Sequence, residues 1–162
     1  MKICISGHRD LLKPVEVRNE IACVLKYYKE KYKDIICVSA IASGADTLFA
    51  EEALSLSIPL EIMLPFAAEI YKKDFDGEDL LKMESLLQNH TCRVVCDIPV
   101  TSEDRKKAYL YTGKKMTDEC DILIAVWDGK PAAGVGGTGD IVEYARSAGK
   151  KVHIIEGLRK GK

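Results

Sequence analysis

Short, nearly continuous apolar runs alternate with longer segments of helical periodicity from one end of the chain to the other. The runs are Lys2–Ser6 (KICIS), Ile35–Ala40 (IICVSA), Leu60–Leu64 (LEIML), Cys92–Cys96 (CRVVC), Asp121–Trp127 (DILIAVW) and Lys151–Ile155 (KVHII). Strands apolar on both faces are covered on both faces, the condition of a parallel sheet flanked by helices. Between the runs, Pro14 stands at a first helical position, and Val17, Ile21, Val24, Leu25 and Tyr28 follow at helical spacing, so a helix is predicted to about Lys31. Others are predicted over about Ala45–Ser55, Glu78–Gln88, Ser102–Glu119 and Thr138–Ala148, the last closed by Gly149 as a C-terminal cap. With no internal repeat and no linker, the pattern predicts one domain over residues 1–162.

In open parallel sheets, ligands sit beyond the carboxyl ends of the strands. Three strand-to-helix junctions carry unusual residues: SGHRD after the first strand, SAIASGADT after the second, and WDGKPAAGVGGTGD after the fifth. In the first, Ser6 precedes Gly7, which allows backbone approach, and Arg9 offers a bidentate phosphate contact, with His8 as an assistant or a cap. In the second, Ser43 and Gly44 make a turn, and Asp46 and Thr47 fall on the first turn of the following helix. Turn chemistry alone would also use these residues.

The third junction opens with Asp128 and runs into Gly136, Gly137, Thr138 and Gly139 at a helix start. A bare G-x-G-x-x-G match is present, but it follows the fifth strand rather than the first, and no P-loop sequence exists. What remains is physical. Glycines permit positive φ and close backbone approach, and a helix N-terminus adds partial positive charge, which together make a phosphate seat. Asp140 and Glu143 follow at D-x-x-E spacing, which is either a capping box or a pair of carboxylates near a sugar. Near a helix N-terminus both stay ionised, so neither is an obvious proton donor. An ionised Glu143 suits ribose hydroxyls or an oxocarbenium-like cation.

Composition narrows the classes. With 47% hydrophobic and 30% charged residues and a formal net charge of -1, nothing global points to nucleic acid or to an anionic membrane. The N-terminus turns polar within a few residues and no apolar run is long enough to span a bilayer, so a cytoplasmic chain without membrane contact is expected. The six cysteines show no C-x-x-C pair and sit mostly in apolar runs, the pattern of reduced, buried thiols. Cys92 and Cys96 share a strand face but lack a nearby histidine pair, so neither metal nor cofactor is expected. Asn89 to Thr91 forms a sequon that a cytoplasmic chain never presents. The Lys/Tyr stretches Lys26–Lys33 and Asp104–Lys115 read as solvated helix faces rather than nucleic-acid surfaces.

VSAIASGADTLFAEEAL (Val38 to Leu54) closely resembles the SGLARGIDT…AL segment of the Rossmann-like domain in DNA-processing protein A. MTDECDILIAVWDG…GVGGTGDIVEYA resembles the Lonely Guy phosphoribohydrolases, whose hallmark is P-G-G-x-G-T-x-x-E. Both belong to the SLOG superfamily, and with ISGHRD the resemblance covers most of the chain, Pro65 to Asp104 being its least diagnostic part. It implies a Rossmann-like three-layer α/β/α sandwich with a mainly parallel sheet of about six strands, and a homodimer. Gly136, Gly137, Gly139 and Glu143 match the hallmark, and Glu143 falls on the family's catalytic glutamate. Val135 replaces its proline and Asp140 its threonine. The family's catalytic arginine lies four residues before the methionine matched by Met116, where this chain has Thr112. The resemblance therefore implies first a sensor or binding domain for a nucleotide or nucleotide-derived ligand. The alternatives are a nucleoside 5'-monophosphate phosphoribohydrolase with Glu143 and Asp140 as candidate catalytic residues, and single-stranded DNA binding, against which the near-neutral charge argues.

Overall fold

The computed structural model describes residues 1–88, 91–94 and 102–161. Its six-stranded sheet contains β1 (Lys2–Gly7), β2 (Ile36–Ser39), β3 (Leu60–Leu64), β4 (Thr91–Val94), β5 (Ile122–Trp127) and β6 (Lys151–Glu156). The spatial order is β4-β3-β2-β1-β5-β6 and every pairing is parallel. The helices are α1 (Pro14–Lys31), α2 (Ala45–Ser55), the one-turn α3 (Ala68–Tyr71) with a 3-10 turn to Asp74, α4 (Gly77–Gln88), α5 (Ser102–Glu119) and α6 (Thr138–Ser147). Side-chain periodicity sorts them into layers, because alternate residues of a strand face opposite sides. Ile3, Ile5, Cys37, Ile62, Ile122, Ile124 and Val126 pack into one core with α1, α2 and α4. Their neighbours Cys4, Val38, Met63, Leu123 and Ala125 face α5 and α6 through Met116, Ile141, Val142 and Ala145.

The predicted helix ends rest on local chemistry. Pro14 occupies the first helical turn of α1. At the end of α6, Gly149 adopts φ +70° and its N–H donates to the Arg146 carbonyl, while the Lys150 N–H reaches back to the Ala145 carbonyl. Those two bonds form a Schellman motif that only a residue free of a Cβ closes without strain. The short α3 escaped the sequence reading because four residues carry too little periodicity to stand out. Cys4, Cys37 and Cys120 are buried free thiols, but Cys23 is exposed: it lies on the solvent side of α1, so burial was the wrong expectation for it. Similarly, Tyr28 in the Lys/Tyr stretch of α1 is wholly buried, whereas Tyr27 is exposed. The side chains of Cys92 and Cys96, and Asn89 of the sequon, lie outside the described residues. Among those residues, no helix is long and apolar enough to cross a membrane.

Candidate functional site

The sheet's strand order reverses between β1 and β5: from β1 the chain builds outward to β4, then returns to add β5 and β6 on the other side. Two adjacent strands whose connections depart in opposite directions leave a crevice beyond their carboxyl ends. A cavity of about 420 Å³ occupies it. The β1 end supplies Ser6, Gly7, His8 and Arg9, the β2 loop supplies Ala40, Ala42 and Asp46, and the β5 loop supplies Ala132 to Thr138. Helix α5 closes the cavity with Tyr109, Thr112, Gly113 and Met116, and Arg159 reaches it from beyond β6.

Close backbone packing sets the rim. A Cβ on Gly7 would lie 2.3 Å from the Ala45 Cβ, since the start of α2 crosses the end of β1 there. Gly44 adopts φ +82°, and the Ala45 N–H donates to the His8 carbonyl at 3.2 Å. Ile41 also has positive φ, at 50°, an unusual state for a β-branched residue. Its N–H is held by Ser39 Oγ at 2.9 Å. This bend brings the Ala42 N–H to the Asp46 carboxyl group.

Asp46 is the buried acid of the cavity. Burial pushes its carboxyl up to about 7, against the opposing pull of Arg9 and of the Ala42 N–H. The Arg9 guanidinium lies 4.9 Å above the Tyr109 ring, a cation–π contact that holds it at the mouth. Tyr109 donates to Asp74, which also pairs with Arg105, so the segment after α3 is braced against α5.

His8 and Asp128 form a different unit. His8 Nε2 lies 3.2 Å from both the Asp128 N–H, from which it accepts when unprotonated, and Asp128 Oδ1, to which it donates when protonated. Burial lowers the histidine's pKa against the opposing pull of the Asp128 carboxylate. The carboxylate itself accepts from the Lys130 N–H at 3.1 Å and from Arg159 Nε at 2.7 Å. Burial opposes its ionisation, but these donors and His8 together hold its pKa below the usual range. Asp128 is therefore a brace of the loop rather than a lining residue.

At the glycine turn, packing explains much of the composition. Gly136 has φ +83° and lies against the backbone of α5, where a Cβ would sit 3.0 Å from the Leu110 nitrogen. A Cβ on Gly139 would meet the Ala132 nitrogen at 2.8 Å. The N-cap of α6 is Gly137, not Asp140, so the D-x-x-E capping box does not form. Asp140 stands at the third helical position and accepts the Gly136 N–H at 2.9 Å. This leaves the first-turn N–H groups of Thr138 and Gly139 without hydrogen bonds among the described residues, as a helix N-terminus does until a ligand or water supplies an acceptor.

Of the sequence-predicted residues, Ser6, Gly7, His8, Arg9, Asp46, Gly136, Gly137 and Thr138 converge on the cavity. Ser43, Gly44, Thr47, Asp128, Gly139, Asp140 and Glu143 do not line it. Thr47 spends its hydroxyl on the Ala42 carbonyl at 2.8 Å. Glu143 is exposed, because the apolar stripe Ile141, Val142 and Ala145 turns inward and carries this carboxylate to the outside. Glu143→Gln is therefore expected to change the affinity of any ligand taken by this cavity by less than about twofold, as surface substitutions do; a tenfold loss by titration calorimetry would put the carboxylate at that ligand. Tyr109 and Arg159 were missed. The first had a signal in the buried series Ala108, Thr112, Met116 at four-residue spacing; the second had none.

The architecture compares well with solved structures. DNA processing protein A from Streptococcus pneumoniae superposes with a TM-score of 0.69 at 15% identity over 97% of this chain and 50% of that one. The same protein from Helicobacter pylori, described for its single-stranded DNA binding mode, gives 0.62 at 16% identity over 95% of this chain and 64% of that one. The chain shares a Rossmann-like α/β fold with both. TM1055, a structural-genomics target, gives 0.55 at 14% identity, with 93% of this chain and 71% of that one covered. The chain thus spans half to two thirds of the length of the DNA processing proteins. No protein-family model matches it, and no curated protein does.

Proposed function

We propose that the cavity binds a nucleotide or nucleotide-derived ligand, its phosphate taken by Arg9 and the open N–H groups at the start of α6, as a binding or sensing site. The observation that carries this reading is the convergence of Arg9, Asp46 and Thr138 on one cavity at the β1/β5 switch point. Its volume is suited to a nucleoside phosphate. Ile5, Ala40, Ala42, Met116 and Ile141 give an apolar wall for a base, and Tyr109 gives an aromatic face. The phosphoribohydrolase reading draws no support from Glu143, which stands outside the cavity, or from Thr112, whose hydroxyl donates to the Ala108 carbonyl at 2.8 Å.

A panel of nucleoside monophosphates and ADP-ribose-like compounds tests it by thermal shift. A ligand at about a hundred times its Kd stabilises the native state by about 2.7 kcal/mol, which for a chain of this size is a shift of several degrees. Arg9→Ala is expected to weaken 5'-phosphates about tenfold or more and the matching nucleosides less than threefold, since a charge-assisted contact is lost only for the former. Equal losses would remove Arg9 from the phosphate. A flat panel would reject the cavity reading. Single-stranded DNA belongs in the same experiment, because one structural neighbour is described as binding it and near-neutral charge alone does not exclude it. Submicromolar oligonucleotide affinity at physiological salt, with no response to mononucleotides, would favour that second reading.

A further inference from the structure

Beyond β6, residues Gly157 to Lys160 fold back over the end of β5 and pair with the loop that follows β1. Gly157 lies so close to Val126 that a Cβ would sit 2.4 Å from its Cγ1. The Leu12 N–H donates to the Leu158 carbonyl at 2.8 Å and the Lys160 N–H to the Asp10 carbonyl at 2.9 Å, making an antiparallel bridge between Leu11 and Arg159. The backbone of Arg159 is thereby fixed beside the β1 loop, and its side chain lines the cavity.

The way this arginine is held distinguishes it from an ordinary ion pair. A guanidinium and a carboxylate left to themselves commonly pair through two parallel hydrogen bonds. Here one Asp128 oxygen is occupied by the Lys130 N–H and faces His8, so Arg159 receives only the other, through Nε at 2.7 Å. Asp128 is 4% exposed and Arg159 31% exposed. A buried carboxylate therefore anchors the base of the fork, while the two terminal nitrogens make no hydrogen bond among the described residues. The fork is oriented without being used up.

Resting on the nucleotide reading of the cavity, we infer that Arg159 is a second anion-binding residue, set apart from Arg9 by its own anchor, and that the ligand carries two phosphoryl groups. The favoured class is a nucleoside 5'-diphosphate or a pyrophosphate-linked nucleotide rather than a monophosphate. Arg9, on Tyr109, and Arg159, on Asp128, take successive phosphoryl groups. His8, in contact with Asp128, helps keep that anchor in place. A monophosphate engages one guanidinium only and leaves the terminal nitrogens of the other without a phosphate acceptor.

Titration calorimetry of ADP against AMP decides the matter, with Arg159→Ala and Arg159→Lys beside the wild type. The wild type is expected to prefer the diphosphate by about tenfold, in line with one additional charged hydrogen-bonded contact. Arg159→Ala should abolish the preference while leaving AMP affinity within about threefold, and Arg159→Lys should restore only part of it, since lysine keeps the charge without the fork. Loss of AMP and ADP affinity in equal measure, or no loss, would overturn the inference and leave the cavity reading intact. Where an alanine variant melts early, the lysine variant and the wild-type Nε–H resonance of Arg159 under titration with inorganic pyrophosphate carry the test. A pyrophosphate response with no nucleotide binding would support the anion site while rejecting the nucleotide reading. Silence towards both would overturn both.

Discussion

Asp46→Asn is expected to raise the melting temperature by several degrees at about pH 8 and to change it far less at about pH 5. The carboxyl group is 7% exposed, and burial lifts its pKa from 3.8 to about 7. Between those two values the native chain holds a proton that the unfolded chain has released. Stability therefore falls as pH rises from the ordinary carboxyl range to about 7, and is flat above it. Roughly two pH units of that window lie above pH 5, so at about 1.4 kcal/mol per unit the asparagine variant gains on the order of 3 kcal/mol relative to wild type between the two conditions. For a domain of this size that is about 6–10 °C. Asparagine keeps the shape and an acceptor for the Ala42 N–H. His8, whose pKa is lowered by burial, contributes the opposite slope, but it does so equally in both proteins and cancels from the difference. Differential scanning calorimetry across pH reads the effect directly; parallel curves for the two proteins would show that the carboxyl group is solvated. On the nucleotide reading proposed for the cavity, the same substitution is expected to weaken ligand binding, since Asp46 lines it.

The second large effect belongs to Gly44→Ala. This position combines φ +82° and ψ -124° with a neighbour on every side: a Cβ would lie 2.4 Å from the Arg9 carbonyl and 2.6 Å from that of His8. Both contacts are backbone atoms of the β1 loop and cannot turn aside as a long side chain would. The loss is expected to exceed about 3 kcal/mol, combining the strain of a left-handed non-glycine residue with a direct clash. Gly129 offers the control, since it also has positive φ, at 77°, but nothing lies within 4 Å of its Cβ position. Gly129→Ala should cost only the conformational part, about 1 kcal/mol. Urea denaturation of the two variants compares them. Similar losses would mean that the β1 and α2 loops separate readily, and the cavity wall would then be soft.

The two-layered burial behind the first prediction was written into the chain in one dimension. A strand such as Ile122–Trp127 is apolar on both faces because helices cover both, and that property is read without knowing which strand lies beside it. Helix limits were legible for the same local reason: Pro14 presets the first turn of α1, and Gly149 takes the left-handed turn that ends α6. The rim residues Gly7, Arg9 and Asp46 could be singled out because they follow strands, and in a parallel sheet all such turns share one edge. The place of Glu143 outside the cavity was also legible in sequence, since Ile141, Val142 and Ala145 define an inward stripe that excludes it.

What sequence alone determined is therefore the part governed by periods of two and 3.6 residues and by the backbone limits of proline and glycine: the elements, their buried faces and the common edge of their turns. Tertiary structure decided which turns meet. Strand β5 pairs with β1 across more than a hundred positions, and this contact places the Ala132–Thr138 loop opposite Arg9. It also decided that Asp128 braces a loop, that Tyr109 seats Arg9, and that Arg159 enters the cavity through an antiparallel bridge to Leu11. Apart from Tyr109, which stands beside the series Ala108, Thr112 and Met116, none of these has a local signature, because each depends on the distance between groups brought together only when the apolar faces of separate elements are buried against one another.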